Sequence, residues 1–492
     1  MKTTAQNLAT YFEQFRKNIT GIDEVIETPY GSMPLVYTDW TASGRLYAPI
    51  EKRISEDFGA FVANTHTKTN FTGNLMTTAY EEARKIIKKH VNAGDEDILI
   101  MTGQGMTSAV NKLQRILGLK IHEKFRSKID LKDNERPVVF ITHMEHHSNQ
   151  TSWLESIADV EIIPYKNEKD IDFAAFEELI QQYENRPLKI ASVTACSNVT
   201  GLQPDYYQIA KLIHQYDGYC FVDFACSAPY VKIDMHPDSA RQLDAIFFSP
   251  HKFLGGPGTP GVLIFNKKLY NNRVPDHPGG GTVIWTNPWG EHKYFENPEL
   301  REDGGTPPFL PTIKTALAIK LKEKMGEDNI LQREHEILEK LLPFFQNNEK
   351  IELLAGKHSE RLGVISFIIK DLPYDLGVRI LNDRYGIQTR GGCSCAGTYG
   401  HILLGVDREK SRKIVREIEK GNTENKPGWI RLSIHPTTSD AEVAYIIQSI
   451  GELTEKHPQW QKDYIYKNGR YFHRKDDKNA GIQKMVQSLF KL

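Results

Sequence analysis

Six short apolar runs dominate the middle of the chain: DILIM (97–101), PVVFI (137–141), LKIASVT (188–194), YCFVD (219–223), DAIFF (244–248) and GVLIF (261–265). A strand that is apolar along its whole length has both faces covered, and parallel strands need long connections between them, usually helices. Stretches between the runs, such as SAVNKLQRIL (108–117) and DYYQIAKLIHQY (205–216), repeat apolar residues at helical spacing. The pattern predicts an α/β fold, with a mostly parallel sheet covered by helices over about residues 80–265.

The pattern then breaks. Residues 275–311 are rich in Gly and Pro (PDHPGGG, DGGTPPFLP) and read as loop. A helical stretch, TIKTALAIKLKEKM (312–325), would link two domains, and an α+β pattern returns over 350–450 with VISFII (364–369) and WIRLSI (429–434) as strands. A length of 492 residues suits two or three domains. The expected division is an N-terminal segment (1–45) packing with the small domain, and a large domain (46–311). A linking helix with the small C-terminal domain (312–460) and a polar, basic appendage (461–492) without assigned function complete it.

The remaining bulk properties narrow the function. Apolar residues make up 39% and charged residues 25%, with a net charge of −1, so nothing asks for nucleic acid or an anionic membrane as partner. No apolar run reaches the roughly 20 residues that span a bilayer. The N-terminus, MKTTAQNLATYFEQF, lacks the apolar segment of a secretory signal. Five cysteines do not suggest a disulfide framework. The expectation is a reduced, cytoplasmic protein, and no metal site is called for.

Five pieces carry chemistry. SPHKFLGGPGTPG (249–261) puts Lys252 between two buried strands, beside Ser249 and His251 and before a Gly-rich loop. A desolvated amine has a lowered pKa and can attack a carbonyl to form an imine; Ser249 and His251 are donors suited to a phosphate. VDFACSAP (222–229) puts Asp223 at the carboxyl end of a strand, where ligands bind in open α/β sheets. A carboxylate there would pair with a protonated pyridine nitrogen. GQGMTSAVN (103–111) opens a helix after a strand, so Gly105, Met106 and Thr107 would form a phosphate seat. MEHHSNQTSW (144–153) offers His146 to stack on a flat ring, and SNVTG (197–201) offers Asn198 as a donor to a phenolic oxygen. Each alone is compatible with an ordinary turn or surface residue; together they gather phosphate, ring and imine partners at one edge of one sheet.

In this order, GMTSAVN, EHHSN, SNVTG, VDFAC, SPHK and GGTP resemble the class V aminotransferase family, and more closely its cysteine desulfurase and selenocysteine lyase branch. YTDWTASGRLYAPI (37–50), NTHT (64–67) and RGGCSCAG (390–397) match that branch in position, so the resemblance covers roughly residues 35–440. It implies a fold-type I enzyme of pyridoxal 5'-phosphate, with a large α/β domain around a mixed sheet, a smaller α+β domain, and the site between them. Lys252 would carry the cofactor as a Schiff base and move protons. Asp223 would pair with the pyridine nitrogen, His146 would stack on the ring, and Thr107, Ser249 and His251 would hold the phosphate. Thr306, reaching from a partner subunit, would complete the phosphate site and so implies a homodimer. Arg431 would grip the substrate carboxylate, with Arg390 and His66 also near the substrate. Cys395 would attack the substrate sulfur, with Cys393 two residues away as assistant or substitute.

The chain departs from the branch in three places. Cys226 stands where a Gln is usual, and a thiol is a weak donor to the phenolic oxygen. The cysteine loop reads GGCSC where a His pair usually precedes the Cys, and a helical insertion (407–428) separates that loop from Arg431. The reading favoured is a desulfurase-like enzyme acting on L-cysteine or a related sulfur or selenium amino acid. It would work through an external aldimine and a persulfide on Cys395, with a sulfur-acceptor protein as partner. The alternatives are another class V activity (aminotransferase, β-lyase or epimerase on a small amino acid) and a binding protein on the same fold.

Overall fold

The computed structural model describes residues 7–424, 426–475 and 479–491; residues 1–6 of the N-terminal segment and 476–478 and 492 of the appendage lie outside them. Each of the six apolar runs forms a strand: β1 (Asp97–Thr102), β2 (Val138–Ile141), β4 (Lys189–Thr194), β5 (Tyr219–Asp223), β6 (Ala245–Phe248) and β7 (Gly261–Asn266). The seventh strand of this sheet, β3 (Asp159–Ile162), is half-exposed and carries Asp159 and Glu161, so it gives no continuous apolar signal.

The order across the sheet is β1–β7–β6–β5–β4–β2–β3. The pairs β2–β3, β2–β4, β4–β5 and β5–β6 are parallel. Strand β7 is antiparallel to both its neighbours, β1 and β6, which makes the sheet mixed. Helices α2 (Phe71–His90), α3 (Gly105–Ile116), α4 (His147–Leu154) and α5 (Tyr206–His214) pack around it. Its two faces fall in separate clusters of fully buried residues: Leu99, Val138, Phe140 and Val222 lie in one, and Ile100, Val139, Phe221 and Phe247 in the other. That division follows from the alternation of side chains along each strand.

The linking helix α6 (Phe309–Met325) begins three residues before the stretch read from the sequence and ends at Gly326, at φ +82°, where α7 (Glu327–Asn347) starts. The small domain is a four-stranded antiparallel sheet of β8 (Ile351–Leu353), β9 (Val364–Ile369), β10 (Arg390–Gly392) and β11 (Trp429–Ser433), in the order β8–β9–β11–β10. Ile337 and Leu341 of α7 and Ile446 and Ile450 of α9 (Asp440–Trp460) bury against Phe367, Ile430 and Leu432 of that sheet.

The N-terminal segment divides between the domains. Leu8, Phe12 and Phe15 of α1 (Leu8–Arg16) join the large core, and Val36 joins the small one. In the appendage, a hairpin (464–467 with 470–473) buries Tyr464 in the small domain, while α10 (Asn479–Leu489) exposes Ile482, Met485, Val486 and Leu489. The Gly- and Pro-rich stretch 275–311 is mostly loop but holds a short hairpin (283–286 with 292–294). It is anchored by the fully buried Glu302 side chain, which accepts from Lys112 Nζ at 2.9 Å and Tyr270 Oη at 2.8 Å. The insertion at 407–428 contains α8 (Arg408–Glu419), of which no residue is buried.

Candidate active site

A cavity of about 210 Å³ opens where the carboxyl ends of β4, β5 and β6 face β10 and β11 of the small domain. One end is built from backbone. After β1 the chain turns through Gly103 (φ +39°) and Gly105 (φ +64°) into α3, whose first residues line the cavity. A Cβ on Gly105 would stand 2.8 Å from Ser249 Oγ, and one on Gly261 would stand 2.1 Å from the Gly105 carbonyl oxygen. Only glycine lets the turn, β7 and the loop after β6 approach so closely. The Met106 N–H donates to Ser249 Oγ at 2.8 Å, and the hydroxyls of Thr107 and Ser148 are 2.6 Å apart. His251 lines the same cavity, and burial, then the charge of Lys252, pull its imidazole down to about 4. A helix N-terminus ringed by three hydroxyls and an imidazole has the donor set that suits a phosphate group.

At the centre, Asp223 is buried at the end of β5, with its Oδ1 accepting from the Ala225 N–H at 2.8 Å. Burial raises its carboxyl to about 6, against the pull of Lys252. Lys252 lines the cavity, and burial pulls its amine below the ordinary lysine value. His146 caps α4, its Nδ1 accepting from the Ser148 N–H at 3.1 Å, and burial takes its imidazole down to about 3, so the ring is neutral at neutral pH. Behind it the buried Glu145 accepts from Thr142 Oγ1 at 2.5 Å, Asn149 Nδ2 at 2.7 Å and the Thr194 N–H at 2.8 Å, and burial pushes its carboxyl up to about 8. The Cys226 thiol donates to the Ser197 carbonyl at 3.8 Å, and Cys196 reaches the same oxygen at 3.6 Å.

The mouth is built by the small domain. Arg431 is buried on β11; its Nη1 donates to the Asn198 carbonyl at 3.1 Å and its Nε has no hydrogen-bond partner among the described residues. Arg390, half-exposed on β10, stands opposite it in register. Asn198 donates from Nδ2 to the Ser394 carbonyl at 2.6 Å, leaving Oδ1 unpartnered, so one of its N–H groups is spent on the cysteine loop rather than on a ligand. Ser394 and Cys395 hold φ +50° and +57°, a left-handed pair that turns the loop inward. Cys395 is exposed and lines the cavity. Cys393 does not: it lines a separate apolar cavity beneath α8, with Leu404, Val415 and Trp429.

The chain thus brings together Lys252, Asp223, Gly105, Met106, Thr107, His146, Asn198, Cys226, Ser249, His251, Arg390, Arg431 and Cys395. Thr306 is exposed and lies outside the cavity. His66 is likewise exposed, at φ +67°, with its Nε2 3.8 Å from where a Cβ on Gly281 would stand. Among the residues that sequence reasoning missed are Ser148, which lines the cavity, and Asp39, which meets its two arginines. Ser148 follows His146 and His147 in the EHHSN motif, and Asp39 sits in YTDWTASG, one residue before a tryptophan. Asp39 pairs with both mouth arginines, at 2.7 Å to Arg431 and 3.0 Å to Arg390. Its motif was visible, but nothing in local sequence says that it meets strands some 350 residues later.

The donor set fits pyridoxal phosphate. The glycine turn tolerates no Cβ beside Ser249, the buried Asp223 carboxylate and Lys252 line one cavity, and Arg431 Nε and Asn198 Oδ1 are buried polar atoms without hydrogen-bond partners among the described residues. The fold is that of the fold-type I enzymes, whose chemistry is that of pyridoxal phosphate. The aminotransferase class-V family profile matches residues 36–446, and the chain belongs to that family.

Among its relatives, a probable cysteine desulfurase of Halalkalibacterium halodurans is 28% identical over 382 residues, covering 76% of this chain and 86% of the relative. One of Staphylococcus aureus (strain COL) is 28% identical over 377 residues, with the same coverage. The fold is similar to that of the apo cysteine desulfurase from Thermococcus onnurineus NA1, with TM-score 0.71, 24% identity, and coverage of 90% of this chain and 98% of that one. It is also similar to the cysteine desulfurase CsdA (S-sulfonic acid) from Escherichia coli, with TM-score 0.70, 20% identity, and coverage of 92% and 99%. Among the described residues no helix is long and apolar enough to cross a membrane, and no group of His, Cys, Asp and Glu is arranged to hold a metal ion.

Proposed function

We propose that this enzyme removes sulfur, or selenium, from L-cysteine or a close relative, with pyridoxal phosphate on Lys252 and Cys395 as sulfur acceptor. The observation that carries the reading is the position of an accessible thiol, Cys395, at the rim of the cavity lined by Lys252, Asp223 and Arg431. The names of the relatives, probable cysteine desulfurases, agree with it.

When bound, the cofactor supplies an electron sink for the charge that develops at the substrate α-carbon. The residues divide the rest of the work. The α3 N-terminus with Thr107, Ser148, Ser249 and His251 would fix the phosphate. Asp223 would hold a positive charge on the ring nitrogen, and the neutral imidazole of His146 would cover the ring without competing for that charge. Arg431 orients the substrate carboxylate. Lys252 Nζ, its basicity lowered by burial, takes the α-proton and later returns one. The Cys395 thiolate attacks the substrate sulfur: the Cβ–S bond breaks, an S–S bond forms on Cys395, and the electron pair left on carbon is protonated, giving alanine.

Turnover then needs a thiol, on a small molecule or an acceptor protein, to collect the sulfur. Thr306, and with it a homodimer, belongs to the same reading: a residue this exposed within its own chain would serve a neighbour's phosphate seat. A cytoplasmic, reducing location would keep Cys395 a thiol. The test is a product screen with L-cysteine, L-selenocysteine, L-cystine and common amino acids: alanine with equimolar sulfide or selenide is expected. Pyruvate or a keto acid as the main product would favour a β-lyase or an aminotransferase instead.

A further inference from the structure

Asp39 stands between the two arginines of the mouth. Its Oδ1 is 2.7 Å from Arg431 Nη2 and its Oδ2 is 3.0 Å from Arg390 Nε. The arginines sit directly opposite each other on β10 and β11, an arrangement that two like charges make unfavourable unless a counter-charge is supplied. Asp39 supplies it from a third segment, and backbone holds it there. The Ser433 N–H donates to the Thr38 carbonyl at 2.7 Å, and the Thr41 N–H donates to Ser433 Oγ at 3.0 Å, so the residues on either side of Asp39 are tied to the strand that carries Arg431. The carboxylate is therefore a fixed part of the mouth rather than a surface group that drifts into it.

We propose that Asp39 sets the charge selectivity of this site. Two arginines less one carboxylate leave a single net positive charge, which matches an amino acid with one carboxylate and a neutral side chain. A substrate with a second anionic group would have to compete with Asp39 for Arg431 Nη2 and Arg390 Nε, both already occupied. The proposal rests on the reading of Arg431 as the carboxylate contact. It adds that discrimination against dicarboxylic amino acids is made by Asp39, a specificity-determining residue that does not itself need to touch the reacting atoms. A charge change within several ångströms in a partly buried mouth is large enough to shift relative affinities by about tenfold.

The test is equilibrium binding of two unreactive anions, propionate and succinate, to the cofactor-loaded full-length protein, by calorimetry at low ionic strength. Wild type, Asp39→Asn and Arg390→Gln are compared as the ratio of the two dissociation constants. The proposal expects Asp39→Asn to move the ratio about tenfold toward succinate and Arg390→Gln to move it the opposite way. A general packing defect would weaken both anions alike and leave the ratio unmoved. A ratio within about twofold of wild type in a folded, cofactor-loaded Asp39→Asn protein overturns the proposal. Should that variant not fold, an unmoved ratio in Arg390→Gln overturns it equally. If wild type binds neither anion, the carboxylate reading of Arg431 falls and the role of Asp39 with it, while sulfur release from L-cysteine, measured alongside, reports separately on the proposed reaction.

Discussion

The backbone N–H of His147 donates to the Cys395 carbonyl at 2.7 Å, and His147 Nε2 in turn accepts from the Gly397 N–H at 2.9 Å. The turn that presents His146 to the cavity and the loop that presents Cys395 are thus one hydrogen-bonded unit. A thiol fixed in this way is positioned before substrate arrives, and Asn198, donating to Ser394, ties the unit to the strand-end loop after β4.

The two loop cysteines should therefore behave differently. Cys395→Ala should lower sulfur release from L-cysteine by about 100-fold or more and leave the cofactor absorbance intact, because only the acceptor thiol is gone. Cys393→Ala removes a thiol that lines a different cavity, and should keep most of the activity. Comparable losses in both variants, read as alanine and sulfide, would sink the assignment to Cys395.

Gly105→Ala probes the proposed phosphate seat. The residue sits at φ +64°, and its new Cβ would press on Ser249 Oγ at 2.8 Å. The left-handed backbone alone costs about 1–2 kcal/mol for a non-glycine residue. Cofactor affinity, followed by absorbance titration of the apo protein, should fall roughly tenfold. Affinity equal to wild type would mean that the phosphate binds elsewhere.

The large sheet was nearly all legible because buried parallel strands are apolar along their whole length, as in VVFI of β2 and AIFF of β6. The exception, β3, is an edge strand whose DVEI pattern splits its faces. That the proposed cofactor residues meet in one cavity was legible for a related reason: Lys252, Asp223 and the Gly105 turn each end or follow a strand, and strand ends share one side of such a sheet. The mouth was not. Asp39 reaches Arg390 and Arg431 through a parallel bridge of its backbone to Ser433, a pairing with no local sequence signature. The separation of Cys393 from Cys395 is likewise set by two left-handed residues in a row, Ser394 and Cys395, neither of them glycine.

Glu334 on α7 gives a stability prediction. It is buried, no side chain among the described residues pairs with its oxygens, and burial pushes its carboxyl from 4.5 up to about 8 against the pull of the Gly363 backbone. Between those two values the unfolded chain releases a proton that the folded chain keeps, so stability falls as pH rises through the window. Glu334→Gln removes that dependence. Its melting temperature should match wild type near pH 5 and exceed it near pH 8, by an amount corresponding to about 1–3 kcal/mol. A difference that stays flat across the range would contradict a carboxyl kept protonated by burial.

Thr306 tests the assembly. The proposed homodimer should sediment at twice the chain mass, and Thr306→Val, which alters an exposed residue of its own chain, should weaken cofactor binding about tenfold with no loss of apo-protein melting temperature. A monomer with full cofactor affinity, or an unaffected variant, would place the phosphate seat wholly within one chain.

The central claim is a covalent bond between Lys252 and an aldehyde cofactor. Reduction of the pyridoxal-phosphate-loaded protein with borohydride, followed by proteolysis and peptide mass spectrometry, reads that bond directly. The account predicts one pyridoxyl group per chain, on the peptide containing Ser249, His251 and Lys252 and attached at Lys252. A stable adduct on another lysine, or none on Lys252 after full loading, would contradict it.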